Sequence, residues 1–243
     1  MHQASVGFHC PECSKVGKQK VYTPRNLGTT AYVTSALIAI NVVVFVIDML
    51  SGTTNGLGSL GEDWALYGPL VADGEWYRTI TAGFVHSGLI HVGFNMVLLY
   101  QLGSLLEPAL GRVRFIALYF MSLMGGSFLV LVMSFDNPTV GASGAVFGLM
   151  GAAVLAFRSR GIDPFSTGIP QLLGINLVIT FVAARYISVG GHLGGLAAGL
   201  AGGWLLFELP KLLPKGNVLA PVICVAATVV LFAGCLLVAQ SQI

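Results

Sequence analysis

Seven long apolar stretches constrain the fold of this chain more than any other feature. They cover residues 31–50, 84–106, 113–135, 142–157, 169–187, 189–209 and 218–238. Most are close to the roughly 20 residues that a helix needs to cross a bilayer, and the fourth is the shortest. With 55% hydrophobic and 9% charged residues, and 32 glycines, the composition is that of a polytopic membrane protein. We therefore expect an all-α fold of membrane-spanning helices.

The distribution of lysine and arginine predicts the orientation of these helices. Cytoplasmic loops carry an excess of basic residues. With the N-terminus in the cytoplasm, only Arg78 and Arg185 fall outside. The basic residues that then fall inside are Lys15, Lys18, Lys20, Arg25, Arg112, Arg114, Arg158, Arg160, Lys211 and Lys215. We expect a cytoplasmic N-terminus, an external C-terminus and a first helix that remains as an anchor, since no cleavable signal peptide is visible.

The spacing of the apolar stretches predicts three parts. Residues 1–30 form a cytoplasmic tail, residues 31–209 carry the first six apolar stretches, and residues 210–243 form a linker and a seventh helix. An external loop is expected at 51–82, in which Glu75 and Arg78 form an ion pair. No stretch is typical of nucleic-acid binding, so we expect no DNA or RNA partner.

The four cysteines give weak signals. Cys10 and Cys13 have the two-residue spacing of half a zinc site, but a tetrahedral site needs four ligands. The pair either belongs to a zinc site or is the remnant of a longer zinc-binding extension. Cys224 and Cys235 lie three helical turns apart in the last apolar stretch, where cysteine acts as a small hydrophobic residue.

Several polar residues stand near the external ends of the second, fourth and sixth stretches. Ser143 lies between glycines at the start of the fourth, and His192 at the start of the sixth. His86, His91 and Asn95 lie near the start of the second. Because these three stretches run in the same direction, all five residues are expected at a shallow depth that water can reach. A polar residue inside a membrane helix is costly, so each is a candidate functional residue.

These residue types suit peptide hydrolysis. Ser143 is a weak nucleophile that needs a nearby base, and His192 is the better candidate than His91. His91 and Asn95, four residues apart on one helix face, can donate hydrogen bonds to an oxyanion, as can the backbone N–H of Ser143. Phe147, one turn after Ser143, is placed to stack on His192.

Glycine rows predict that the helices bearing Ser143 and His192 touch. Gly191, Gly195 and Gly199 recur every four residues, and Gly144 and Gly148 offer a matching face. Small residues at this spacing let membrane helices approach closely. Short side chains such as serine and histidine can meet only across such a contact.

No carboxylate is expected beside His192. Asp48 lies at the external end of the first stretch, while Glu107 and Glu208 lie at cytoplasmic ends. The other acidic residues fall in loops or the tail. The sequence therefore favours a Ser-His dyad over a triad that includes an acid.

The chain resembles the rhomboid family of intramembrane serine proteases over roughly residues 35–208. Four motifs carry the resemblance, in the family's order. They are Glu75-Trp76-Tyr77-Arg78, His86-x4-His91-x3-Asn95, Gly141-x-Ser143-Gly144 and His192-x2-Gly195-x3-Gly199. The resemblance implies a six-helix core with a water-filled external cavity, to which the seventh helix is an addition.

The resemblance also implies the role of each site residue. Ser143 is the nucleophile and His192 the general base, while Asn95, His91 and the Ser143 amide bind the oxyanion. His86, Gly141 and Phe147 are expected to support them. No cofactor is required. The expected substrates are single-span membrane proteins that reach the site laterally beside the fifth helix, beneath a short cap near 185–189, in a bacterial-type plasma membrane.

Other interpretations remain open. Gly-x-Ser-Gly alone is more often a packing motif than a catalytic one. The chain is alternatively a non-catalytic rhomboid-like protein that binds membrane helices. A third possibility is a transporter, because intramembrane histidines and glycine-rich helices also line solute pathways.

Overall fold

The computed structural model describes residues 2–3, 8–9, 31–54 and 57–242, which form two units. In the first unit, strands β1 (His2–Gln3) and β2 (Phe8–His9) pair in antiparallel orientation. The predicted zinc half-site, Cys10 and Cys13, lies outside the described residues, so zinc binding there stays a prediction.

The second unit contains seven apolar helices of 14 or more residues within the described part of the chain. They are α1 (Tyr32–Leu50), α2 (Leu89–Leu110), α3 (Arg112–Met133), α4 (Ser143–Ser159), α5 (Ile169–Val182), α6 (Val189–Phe207) and α7 (Gly216–Ser241). Five of them are long and apolar enough to cross a membrane, whereas α4 and α5 are shorter. The prediction of an all-α polytopic membrane protein is confirmed.

Short elements connect these helices. Strands β3 (Thr53–Thr54) and β4 (Leu57–Gly58) form an antiparallel pair after α1. The short helices are Ser59–Trp64, Gly68–Ala72, Arg78–Thr81 and Leu209–Leu212, and the 3-10 helices are Ala82–Phe84 and Pro164–Thr167.

Two predicted boundaries were wrong. The second helix begins at Leu89 rather than residue 84, because Gly88 at φ +147° interrupts the chain ahead of it. The fifth ends at Val182 rather than residue 187, so α5 and not α4 is the shortest of the seven. Past Val182 the chain turns, with the amide of Ile187 bonded to the carbonyl of Ala183. This turn contains neither glycine nor proline, so hydrophobicity alone did not reveal it.

Helix α6 lies between α3 and α4, and glycines form both contacts. A Cβ atom added to Gly195 would overlap the backbone of Gly144 in α4, and one added to Gly194 would overlap the carbonyl of Gly125 in α3. The close approach of α4 and α6 is the one that their glycine rows predict. The α3 side was not anticipated, although Gly125 and Gly126 supply its signal in the sequence.

Buried carboxylates anchor both ends of α1. Glu107 of α2 accepts hydrogen bonds from the amides of Val33 and Thr34, at 2.9 and 2.8 Å. These amides belong to the first turn of α1, which has no partners within the helix and favours a negative charge. At the other end, Asp48 accepts from the amides of Gly58 and Gly61, at 3.0 and 2.6 Å.

The loop between α1 and α2 is held by Arg78, whose side chain is almost fully buried. Its Nε donates to Glu75 at 2.6 Å, and its Nη1 donates to the carbonyls of Glu62 and Ala65 at 2.7 and 3.0 Å. The predicted pair of Glu75 and Arg78 is therefore confirmed. Hydrogen bonds from the Tyr77 hydroxyl and then from Arg78 lower the pKa of Glu75 below its ordinary value.

Helix α7 packs against α3 and against the short helix Gly68–Ala72 of the loop between α1 and α2. Cys224 and Cys235 are fully buried, so they share the packed face that their spacing predicts. The ring of Phe232 meets Trp76 edge-on, with the centroids 6.0 Å apart. The seventh helix thus covers part of α3 and part of the loop between α1 and α2.

Candidate active site

Ser143 and His192 open into one cavity of about 1800 Å³. Ser143 is the first residue of α4, and His192 is the fourth of α6. Their chain neighbours touch, since a Cβ atom on Gly144 would lie 3.1 Å from the carbonyl oxygen of Gly191. Within the described part of the chain, the Ser143 hydroxyl makes no hydrogen bond, so it faces the cavity uncommitted.

Two side chains hold the His192 imidazole. The ring of Phe147 stacks on it, with centroids 4.0 Å apart and planes inclined by 19°. Its Nδ1 lies 2.7 Å from the hydroxyl of Thr180 on α5. In the part of the chain that the structure describes, no carboxylate bonds to this ring.

Sequence reasoning missed Thr180. The signal was present, because Asn176 and Thr180 are polar residues four apart in a strongly apolar stretch. Such a pair marks one face of a membrane helix as turned toward protein or water. Thr180 is the buried side chain of α5, and it also lines the cavity.

His91 presents a hydrogen-bond donor toward Ser143. The backbone N–H of Ser87 donates to its Nδ1 at 3.4 Å, and the Ser87 hydroxyl lies 3.2 Å from the same atom. An amide can only donate, so Nδ1 accepts and the neutral ring carries its proton on Nε2. That Nε2 lies 2.7 Å from the position of a Cβ atom on Gly141, two residues before Ser143.

Asn95 lies one turn after His91 on α2 and lines the same cavity. Its Nδ2 donates to the carbonyl of His91 at 3.0 Å. Because an amide nitrogen carries two hydrogens, one remains for another acceptor. His91 and Asn95 can therefore direct two donors at an anion.

His86 and Gly141 shape the turn that leads to Ser143. Gly141 has a φ of +125°, a conformation that favours glycine. The amide of Ala142 donates to Nε2 of His86 at 3.4 Å, and the His86 ring meets His91 edge-on at 4.9 Å. His86 lies in the loop ahead of α2 and not on the helix, contrary to the prediction, and it is buried behind this turn.

The segment between α5 and α6, where a short cap was expected, also borders the cavity. Residues 184–189 all line it. Ser188 ends the segment as the N-cap of α6, because its hydroxyl accepts from the amide of Gly191 at 3.1 Å. This cap fixes the start of the helix that carries His192.

Comparison with known proteins identifies the family. The family model of the Rhomboid domain matches residues 73–209, more than half of the 243 residues. The chain belongs to the rhomboid family. The matched range contains every predicted site residue from His86 to His192, whereas α1 and α7 of this rhomboid chain lie outside it. The resemblance found in the sequence is confirmed.

Curated rhomboid relatives agree with this assignment. The chain is 32% identical over 169 residues to the Rhomboid protease GluP of Bacillus subtilis (strain 168), covering 68% of this chain and 33% of that protein. It is 33% identical over 165 residues to RHOMBOID-like protein 6, mitochondrial, of Arabidopsis thaliana, covering 66% and 52%. It is 36% identical over 133 residues to the Putative rhomboid protease YdcA of Bacillus subtilis (strain 168), covering 53% and 66%. This rhomboid chain thus spans a third to two thirds of their lengths.

Proposed function

We propose that the chain is an intramembrane serine endopeptidase with a Ser143 and His192 dyad. The observation that carries the proposal is that these two side chains, from separate helices, open into one cavity beside a direct backbone contact. A serine hydroxyl becomes a competent nucleophile when a neighbouring base takes its proton. Similarity to proteins named rhomboid proteases supports the same chemistry.

The proposed reaction begins with attack of the Ser143 hydroxyl on a peptide carbonyl, while His192 accepts the hydroxyl proton. The resulting oxyanion accepts hydrogen bonds from Nε2–H of His91, from Asn95 and from the Ser143 amide, each donor of this kind contributing about 10²- to 10³-fold to the rate. His192 then donates its proton to the leaving amine, and water releases the acyl group by the reverse sequence. No metal or organic cofactor takes part, so dialysis against EDTA leaves the cleavage rate unchanged.

The proposed substrates are single-span membrane proteins that approach between α2 and α5. Phe94 and Leu98 of α2 and Ile179 of α5 line the cavity on this side. Their apolar side chains suit a lipid-embedded segment more than a soluble peptide. With the N-terminus in the cytoplasm of a bacterial-type cell, the C-terminus is external and cleavage takes place near the outer leaflet of the plasma membrane.

The decisive experiment compares variants on a panel of single-span substrates in reconstituted vesicles. We expect cleavage by the wild type and a fall in rate of at least about 10⁴-fold in Ser143→Ala and His192→Ala. Ser122→Ala is the matched control, because it removes a buried serine hydroxyl that bonds only to the Leu118 carbonyl of its own helix.

The outcomes separate the three functional hypotheses. Identical products from all variants would refute the serine protease. Retained substrate binding without cleavage, even in the wild type, would favour a binding protein. Solute flux that survives Ser143→Ala would favour a transporter.

A further inference from the structure

We infer that Thr180 is a positioning residue that fixes the tautomer and orientation of His192. The inference rests on the proposed role of His192 as the base. It deepens that role, because it names the group that takes the place of the missing carboxylate of a serine protease triad.

The contact is short and shielded from solvent. The Thr180 hydroxyl lies 2.7 Å from Nδ1 of His192, and the two side chains are 0% and 7% exposed. Thr180 comes from α5 and His192 from α6, so the bond links two helices that share few other contacts. Because solvent barely reaches either side chain, water competes little for this hydrogen bond.

The number of hydrogens decides the direction of the bond. The single hydroxyl hydrogen of Thr180 is donated to the carbonyl of Asn176, one turn earlier on α5, at 2.7 Å. The same hydroxyl can then only accept from His192, which places a proton on Nδ1. The neutral ring therefore has its lone pair on Nε2, the state that a general base needs on its reactive nitrogen.

The two cavity histidines are consequently held in opposite tautomers. The Ser87 amide leaves the proton of His91 on Nε2, where it acts as a donor. Thr180 leaves the proton of His192 on Nδ1, so its Nε2 acts as an acceptor. The site thus obtains a donor and a base from the same residue type.

A hydroxyl suits this position better than a carboxylate does. An unpaired buried carboxylate inside a membrane is expensive, whereas threonine is neutral and already bonded to its own helix. When His192 gains the serine proton, the bond from Nδ1–H to Thr180 becomes charge-assisted and stronger. Stacking by Phe147 fixes the ring plane, and Thr180 fixes the rotation within that plane.

Nitrogen NMR tests the tautomer without requiring any activity. Protein labelled with 15N-histidine is reconstituted in lipid nanodiscs at neutral pH, and the His192 signals are assigned by their loss in His192→Gln. We expect a protonated Nδ1 and an unprotonated Nε2 in the wild type, and a mixture of tautomers in Thr180→Val. A wild-type His192 protonated on Nε2 would overturn the inference.

Kinetics tests the consequence for catalysis. Thr180→Val keeps the side-chain shape but removes the acceptor, and we expect kcat to fall about 10- to 100-fold with little change in KM. Thr180→Ser restores the hydroxyl and should recover most of kcat. Thr228→Val is the matched control, since that threonine bonds only to the carbonyl of Cys224 on α7.

Each result supports or contradicts the inference. Equal losses in Thr180→Val and Thr180→Ser, or a change confined to KM, would contradict it. If Thr180→Val does not fold, the inference is tested by the His192 tautomer of the wild type and by the kcat of Thr180→Ser. If no substrate is cleaved even by the wild type, the proposed function fails, while the NMR experiment still tests whether Thr180 fixes the His192 tautomer.

Discussion

At the scale of single residues, Gly141 is where backbone conformation and site geometry meet. Its φ of +125° disfavours any side chain, and a Cβ atom would lie 2.7 Å from Nε2 of His91. Its amide also donates to the carbonyl of Ala82 at 2.9 Å. The turn before Ser143 is therefore held from both sides, and His91 occupies space that only a glycine leaves free.

Gly141→Ala should show two separate effects, one on backbone conformation and one on the position of His91. We expect stability to fall by about 1 to 2 kcal/mol from the positive φ, and kcat to fall about 100-fold because His91 is displaced. Gly74→Ala is the control, since Gly74 has a φ of +105° with no atom within 4 Å of its Cβ position. It should lose comparable stability, measured by thermal unfolding, and keep wild-type activity. Equal activity in both variants would contradict the account.

At the scale of elements, the loop between α1 and α2 depends on a charge cluster that titrates. The pKa of Glu75 is lowered by hydrogen bonds from Tyr77 and Arg78. Because this pKa is lower in the folded than in the unfolded state, the ionised carboxylate stabilises the fold. The contribution is complete at pH values above the ordinary pKa. This contribution is lost as the pH falls through the folded-state value.

The pH dependence of unfolding tests this cluster. Glu75→Gln should unfold at a lower temperature than the wild type at pH 7. This difference should narrow as the pH falls below the ordinary pKa of a glutamate, about 4.3, and close once the pH has passed the lower folded-state pKa of Glu75. Tyr77→Phe removes one of the two hydrogen-bond donors to Glu75. In that background, Glu75→Gln should lower the unfolding temperature by less than it does in the wild type. A difference that stays constant from pH 7 to pH 3 would show that charge plays no part.

The same scale shows what the sequence could and could not predict. All seven apolar stretches became helices, and the glycine rows of α4 and α6 met as expected, because burial in lipid and close packing leave periodic patterns. Loop geometry leaves no such pattern, so the turn after Val182 and the position of His86 before α2 were missed. Thr180 was missed for another reason, since its partner His192 is 12 residues away and the contact depends on how two helices are packed.

At the scale of the whole molecule, α7 acts as an outer support for α3. A Cβ atom on Gly234 would lie 3.0 Å from the ring of Phe128 on α3, so the two helices touch there. This contact lies outside the cavity residues. The seventh helix therefore bears on stability more than on chemistry.

Gly234→Leu tests whether α7 affects stability more than catalysis. The added side chain must displace the ring of Phe128, because a Cβ atom alone lies 3.0 Å from it, and overpacking of this kind costs about 1 to 3 kcal/mol. We expect a lower unfolding temperature with the cleavage rate of the remaining folded protein little changed. Val230→Leu is the control, because Val230 on the same helix is 70% exposed and a larger side chain there can extend away from the protein. A large loss of rate without loss of stability would instead assign α7 a part in catalysis.

The shortness of α5 has a consequence for the surrounding lipid. Fourteen residues span about 21 Å, whereas the hydrocarbon layer is about 30 Å thick. Half of the 14 residues of α5 are exposed, so acyl chains beside it must bend or shorten to match. The bilayer is expected to be indented there. Fatty-acid length is therefore a variable that acts directly on α5, the helix whose Thr180 bonds to His192.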